Sequence, residues 1–243
     1  MNLDRRHFLV MLPAAAIAWK YVLAGTPDAS PNYTMTDHWW SMLIDIPKCI
    51  GCGNCVRACA AENDVPDGHC RTWGERYHVD DWHMESPQVI SPDGGKEGFP
   101  SASEDSGKYF FVPKLCNHCV DSPCVQSCPV GATFDSPDVV VLVDERYCVG
   151  CRYCVMACPY GCRYLHPTKH TADKCTLCYH RITKGLPTAC CEACPTGARK
   201  LADLKNPADP VHEFLRKNKV EVLKPYMATQ AKVYYKNLDG SVR

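Results

Sequence analysis

Hydrophobic positions in this chain fall in short runs separated by long polar stretches, which predicts many small elements. Trp39-Trp40-Ser41-Met42-Leu43-Ile44-Asp45-Ile46 reads as a strand. Lys108–Pro113 and Val139–Val143 are further strand candidates, each leading within a few residues into a cysteine-rich segment, and Ala231–Tyr235 is a last one. One helix has a clear start: Asp209 as N-cap, Pro210 at the first helical position, then an amphipathic turn from Val211 to Leu215. Glu85 through Gly107 is polar and rich in Gly, Pro and Ser, so residues 80–107 read as a surface excursion. The pattern predicts an α+β chain of short strands, short helices and long loops.

The N-terminus differs from the body. Asp4-Arg5-Arg6-His7-Phe8-Leu9 leads into the moderately apolar Val10–Trp19, then Lys20 and Val22-Leu23-Ala24. A basic start, an apolar middle and a small-residue end describe an export signal over residues 1–25, and the paired arginines followed by Phe-Leu resemble the twin-arginine type. Asp4 stands where Ser or Thr is usual, and Val10 where Lys is usual. The bland alternative is a short N-terminal helix. The apolar run from Phe8 to Trp19 is too short to cross a bilayer, but a retained segment would serve as an anchor. A Pro/Asp/Ser/Asn linker over 26–38 would then precede a domain at 39–243, in which 200–243 is a C-terminal extension.

Composition narrows the chemistry. The 243 residues hold 19 cysteines, so the chain is either stapled or ligated, and spacing decides which. Lys plus Arg equals Asp plus Glu at 27 each, which leaves no basic footprint for nucleic acid. That balance counts the cysteines as neutral thiols. Lys48, Arg57, Arg152, Arg163, Lys174, Arg181 and Arg199 lie near cysteines and would offset thiolate charge, although most read as ordinary surface cations.

The cysteines repeat a unit of Cys-x-x-Cys, a short helical turn and a further Cys. Motif I is Cys49, Cys52, Cys55 and Cys59; motif III is Cys148, Cys151, Cys154 and Cys158, with the same spacing. Motif II is Cys116, Cys119, Cys124 and Cys128, and motif IV is Cys175, Cys178, Cys190 and Cys194. Pro follows the last cysteine in motifs II, III and IV. Paired Cys-x-x-Cys steps wrap a tight loop around one 4Fe-4S cubane, Gly51, Gly53 and Gly150 ease the turns, and the last cysteine is turned toward a second cluster. Four motifs predict four 4Fe-4S clusters, each adding roughly −2 when oxidised. The compact spacing does not suit zinc, except as a reading of motif IV alone. A disulfide framework is disfavoured, because thiols two residues apart in tight loops capture metal. His118 inside Cys116-Asn117-His118-Cys119 reads as packing or as a hydrogen-bonding neighbour of a cluster. Cys70, Cys162 and Cys191 are left over as buried small apolar groups.

These motifs resemble the four-cluster ferredoxin-like iron–sulfur subunits of molybdopterin oxidoreductase complexes such as polysulfide reductase and dimethyl sulfoxide reductase. Met42-Leu43-Ile44-Asp45, Cys59-Ala60-Ala61-Glu62-Asn63-Asp64-Val65-Pro66, Arg163-Tyr164-Leu165-His166-Pro167, Lys174-Cys175-Thr176 and Glu192-Ala193-Cys194-Pro195-Thr196-Gly197-Ala198-Arg199 carry the resemblance. It implies two pseudo-symmetric bi-cluster ferredoxin-like modules, motif I with IV and II with III. Cluster 1 would take Cys49, Cys52, Cys55 and Cys194; cluster 2 Cys116, Cys119, Cys124 and Cys158. Cluster 3 would take Cys148, Cys151, Cys154 and Cys128; cluster 4 Cys175, Cys178, Cys190 and Cys59. The resemblance further implies an electron relay with no catalytic residues of its own. Its partners would be a polytopic membrane subunit that exchanges electrons with quinone and a molybdopterin catalytic subunit or a multi-haem cytochrome, on the periplasmic face of the membrane. A multi-haem membrane complex without molybdenum is the alternative, and a stand-alone reductase acting at an exposed cluster or at Cys70, Cys162 or Cys191 is a third. The chain has no Cys-x-x-Cys-His, so any haem would belong to a partner.

Overall fold

A computed structural model describes residues 30–79, 87–99 and 108–242. The expected export signal at 1–25 lies outside the described residues, as do 80–86 and 100–107 of the excursion. No helix among the described residues is long and apolar enough to cross a membrane.

Among the described residues, eleven strands alternate with short helices along the chain. The first sheet has the order β10-β11-β1-β9, with β1 at Trp40–Asp45, β9 at Arg199–Asp203, β10 at Val220–Glu221 and β11 at Val233–Lys236. β1 runs parallel to β11, with Met42 opposite Val233 and Ile44 opposite Tyr235, and antiparallel to β9, with Ile44 opposite Arg199. A strand covered on both faces needs no polar alternation, and β1 is buried along almost its whole length. Met42 and Ile44 enter the main core, while Leu43 packs on Ala202 and on Val211 of helix α6 (Val211–Lys217). Asp209 caps that helix, its carboxylate accepting from the Val211 amide at 2.8 Å. Residues 200–236 are therefore not an appendage, because they close the sheet that carries β1.

The second sheet has the order β3-β2-β4, with β2 at Thr72–Val79, β3 at Gln88–Ile90 and β4 at Lys108–Leu115. β2 hides from hydropathy because its interior carries Gly74, Glu75 and Arg76. Glu75 instead pairs with buried Lys114 at 2.6 Å and accepts from the Tyr77 hydroxyl at 2.8 Å. Two small hairpins complete the strands: β5 (Thr133–Asp135) with β6 (Val141–Val143), and β7 (Tyr164–Leu165) with β8 (Ala172–Asp173).

The other helices follow the cysteines: α1 (Asn54–Glu62), α2 (Pro123–Gln126), α3 (Tyr153–Ala157), α4 (Tyr179–Ile182) and α5 (Ala189–Glu192). α1 packs against α5, and α2 against α3. Residues 30–38, read as linker, lie against the body: the Ser30 amide donates to Thr183 O at 3.1 Å, and the Tyr33 hydroxyl donates to Asp138. The main core mixes Met42, Ile44, Leu115, Leu177, Ile182, Val233 and Tyr235 with Cys116, Cys162, Cys175 and Cys190. Tyr235 is fully buried there, and its hydroxyl donates to Pro113 O at 3.2 Å.

Two substitutions on the closing sheet are expected to rank by mechanism. Ile44→Ala deletes fully buried methyl groups and should cost about 2–5 kcal/mol, whereas Tyr235→Phe loses one hydrogen bond and should cost about 1 kcal/mol. Anaerobic thermal unfolding of the cluster-loaded chain should show the larger drop for Ile44→Ala; the reverse order would mean β1 is not the sheet's main anchor.

Candidate metal centres

The four Cys-x-x-Cys steps share one backbone device. The residue before the second cysteine is left-handed in every copy: Gly51 at φ 67°, His118 at 42°, Gly150 at 68° and Leu177 at 53°. A positive φ there turns successive N–H groups into a common concavity. The Leu177 amide reaches Cys175 Sγ at 3.4 Å, and the Gly51 amide serves Cys49. A side chain at Gly51 would meet the Phe111 ring at 2.5 Å, and one at Gly150 would meet His170 O at 2.4 Å. His118 and Leu177 hold the same conformation at a cost of about 1–2 kcal/mol each, and both are buried. His118 Nδ1 accepts from the Val141 amide at 3.1 Å. Burial, reinforced by Lys174 and Lys232, pushes its pKa well down, so it is a neutral packing imidazole.

A second device follows the last cysteine of three motifs. Cys128-Pro-Val130-Gly131, Cys158-Pro-Tyr160-Gly161 and Cys194-Pro-Thr196-Gly197 each form a turn in which the glycine, at φ 65°, 65° and 61°, donates to the cysteine carbonyl. Amides after the turn then face the sulfur. Burial raises the Cys128 pKa, but the amides of Thr133, Val130 and Ala132 bring it below the usual thiol range. Cys194 is likewise lowered, against burial, by the Arg199, Ala198 and Thr196 amides and the Thr196 hydroxyl. The Cys162 thiol first, then the Cys162 and Tyr160 amides, hold Cys158 at about 5 despite burial. Cys59 has no such turn. It lies inside α1, and burial together with the thiols of Cys175, Cys190 and Cys178 pushes it far up.

These turns bring the cysteines into groups. Cys49, Cys52, Cys55 and Cys194 line one cavity, with Gly53, Phe99, Phe111 and Arg199. Cys59, Cys175, Cys178 and Cys190 line a second, with Asn63, Arg71 and Thr188. Asn63 donates toward Cys59 Sγ at 3.6 Å and Cys178 Sγ at 3.8 Å, and Arg71, paired with Asp173 at 2.8 Å, holds the Asn63 amide oxygen at 3.1 Å. Cys116, Cys119, Cys124 and Cys158 act on one another electrostatically as a third group. Cys148 and Cys154 pack in one small core with Cys124; Cys151 is exposed and Cys128 half-buried. Of the leftover thiols, Cys162 is buried with its Sγ 3.2 Å from Leu115 O, and Cys191 reaches Met42 Sδ at 3.6 Å. Cys70 lies apart from the groups, beside Gly94 and Trp73.

Three of the cations near the motifs are interior rather than surface residues: Arg163 at 5% exposure, Lys174 at 1% and Arg199 at 2%. Lys48 and Arg152 are exposed, as a surface reading expects. Arg163 donates to Cys124 Sγ at 3.0 Å and to the Thr133 hydroxyl at 3.2 Å. Lys174 donates to the carbonyls of Val141 and Cys175. Part of the excursion also packs on a cysteine loop. Residues 95–99 roof the motif I loop: a Cβ on Gly53 would lie 2.4 Å from Lys96 O and 2.5 Å from Gly95 O, and Arg57 ties Lys96 O to Cys52 O.

Two profiles described as 4Fe-4S dicluster domains match residues 48–132 and 107–204. The chain is 41% identical over 206 residues to a subunit of tetrathionate reductase from Salmonella typhimurium, covering 84% of this chain and 74% of that one. It is 44% identical over 198 residues to the corresponding tetrathionate reductase chain of Archaeoglobus fulgidus, 82% of each. It is 30% identical over 283 residues to the Hdr-like menaquinol oxidoreductase iron-sulfur subunit 1 of the same organism, 98% of this chain and 99% of that one. The chain belongs to the four-cluster iron–sulfur subunits of molybdopterin-type oxidoreductases. Members of this family carry electrons and leave catalysis to other subunits, and two dicluster domains give four 4Fe-4S clusters. The zinc, disulfide and stand-alone reductase readings lapse with that assignment. The thiol-lined cavities fit such a group, since soft sulfur donors are met by inward amides and buried cations.

Sequence reading missed the Cys-Pro-x-Gly turn, though it is visible at 128–131, 158–161 and 194–197. It also missed Asn63 and the roof over motif I, which only the fold brings to the cysteines. Gly53→Ala should strain the backbone at φ 74° and push Gly95 and Lys96 away. Gly131→Ala, with open space around it, should incur only the left-handed cost of about 1–2 kcal/mol. Hydrogen exchange on the loaded chain should show residues 95–99 deprotected in Gly53→Ala and unchanged in Gly131→Ala.

Proposed function

We propose that this chain relays electrons through four 4Fe-4S clusters between a quinone-interacting membrane subunit and a molybdopterin catalytic subunit. The observation that carries the reading is an exchange of last cysteines: Cys194 of motif IV joins the cavity of motif I, and Cys59 of motif I joins that of motif IV. The same exchange is proposed for Cys158 and Cys128, which gives two pseudo-symmetric modules, supported by α1 packing on α5 and α2 on α3. In this reading cluster 1 sits on Cys49, Cys52, Cys55 and Cys194, and cluster 4 on Cys59, Cys175, Cys178 and Cys190. Cluster 2 sits on Cys116, Cys119, Cys124 and Cys158, and cluster 3 on Cys128, Cys148, Cys151 and Cys154.

When bound, each cluster accepts and releases one electron at a time. The protein's part is to hold four such sites close, dry and charge-compensated. Thiols of neighbouring sets lie within electrostatic reach of each other: Cys55 with Cys190, and Cys175 with Cys116. Cys162 lies beside Cys116, Cys158 and Cys175, and Arg163 lies among Cys124, Cys116 and Cys154. These adjacencies favour the order cluster 1, 4, 2, 3. At the far end Tyr147, Val149, Tyr153 and Met156, the last 84% exposed, flank exposed Cys151 in sequence and leave exposed apolar surface. Such a surface suits the membrane partner, and a relative named for menaquinol oxidation supports the quinone link. The twin-arginine-like start supports the periplasmic side.

The anaerobically purified chain should contain about sixteen irons and about as many sulfides. Serine at any of the sixteen proposed ligands should remove one EPR centre or alter it, while Cys70→Ala, Cys162→Ala and Cys191→Ala should keep all four. Loss of a centre in any of those three would reassign a ligand. Val149→Glu with Met156→Glu should release the chain from the membrane fraction with its iron content unchanged. If the chain co-purifies with a haem protein and no molybdenum, the catalytic partner is not a molybdopterin protein.

A further inference from the structure

Arg199 is the first residue of β9, where the strand pairs with Ile44 at the centre of the closing sheet. It is buried, and none of its three guanidinium nitrogens has an oxygen partner among the described residues, while the guanidinium lies against the Cys190 thiol. An unpaired interior cation is costly unless something of opposite charge lies beside it. The charges acting on it most strongly are not carboxylates. They come from the thiols of Cys55, Cys190 and Cys191, with the Tyr235 phenol behind them. Cys55 belongs to the cavity of motif I and Cys190 to the adjacent cavity of motif IV, and Arg199 itself lines the first of these. The other interior cations differ: Arg163, Lys174, Lys114 and Lys232 each spend donors on oxygen partners. A guanidinium carries five donors on a rigid fork and does not titrate, so it can face two sulfur-rich sites at once as a fixed charge.

We propose that Arg199 is a positioning residue shared by clusters 1 and 4, its guanidinium set between their sulfurs so that one cation favours the reduced state of both. The proposal rests on the ligand sets of the proposed relay. Each reduction adds one electron, delivered by a neighbouring cluster, and one negative charge beside a cation that needs no proton to respond. Removing that cation should therefore lower both potentials together, while the other two centres, further along the order, keep theirs.

EPR-monitored redox titration of the loaded chain tests this, with iron and sulfide counted on the same samples. Arg199→Gln should move two of the four centres to lower potential, each by at least a tenfold change in its reduction equilibrium, about 59 mV for one electron. Arg199→Lys, which keeps the charge and loses the fork, should move the same two by less. Lys200→Gln removes an exposed neighbouring charge and should move none. A shift in only one centre, in all four alike or in none would overturn the proposal. So would loss of iron in Arg199→Gln that Arg199→Lys does not restore, since that marks a packing role; where Lys restores the iron, its own two-centre shift decides. Failure of the ligand sets themselves would show separately, as fewer than four centres in the unmutated chain.

Discussion

Sulfur-bound negative charge has to be taken out of water, and the structure is organised around making that tolerable. An uncompensated interior charge costs several kcal/mol, so each thiol needs dipoles or cations aimed at it. Two repeated backbone turns supply the dipoles. The left-handed residue before the second cysteine points amides inward, and the Cys-Pro-x-Gly turn points further ones at the last cysteine. Interior Arg163, Lys174 and Arg199 supply the cations. Cys59, inside a helix whose amides are already used, lacks the turn and relies on Asn63 and Arg71 instead.

The same constraint explains the secondary structure. α2, α4 and α5 have four residues each, too short to persist alone. They are stable because they pack on cysteine-lined interiors, α2 also on α3 and α5 on α1, with thiols taking places that leucines hold in an ordinary core. What ties these small pieces together is β1, which pairs with strands from the end of the chain and so closes the loops between them. A chain whose local elements are weak depends on such long-range closure.

What could be read from sequence follows directly from this division. Cysteine spacing is local, so all four motifs, the preference for Cys190 over Cys191 as a cavity-lining thiol, and β1, β4, β6 and β11 were legible. Features that depend on burial were not. Arg163, Lys174 and Arg199 look like any surface cation until the fold encloses them. β2 carries Glu75 and Arg76, and its burial partner Lys114 arrives from another strand, so no periodicity betrays it. Residues 30–38 have linker composition, yet Tyr33 and His38 find Asp138 and Asp203 across more than a hundred residues.

The repeat also makes its own exceptions informative. Motifs I and III share spacing and turn geometry, but Gly53 of the first corresponds to Arg152 of the second, both with positive φ. Glycine at 53 is required because Gly95 and Lys96 press directly on it; Arg152 is exposed and has no roof above it among the described residues. An arginine there bears the strain of a left-handed backbone that a glycine would relieve, so relief of strain does not by itself decide the residue. The two ends of the proposed relay are thus built from one motif and distinguished by what covers them: residues 95–99 of the chain itself at motif I, and exposed Tyr147, Val149, Tyr153 and Met156 at motif III. In that proposal, recognition of two different partners would reside in the parts that do not repeat, and electron transfer in the parts that do.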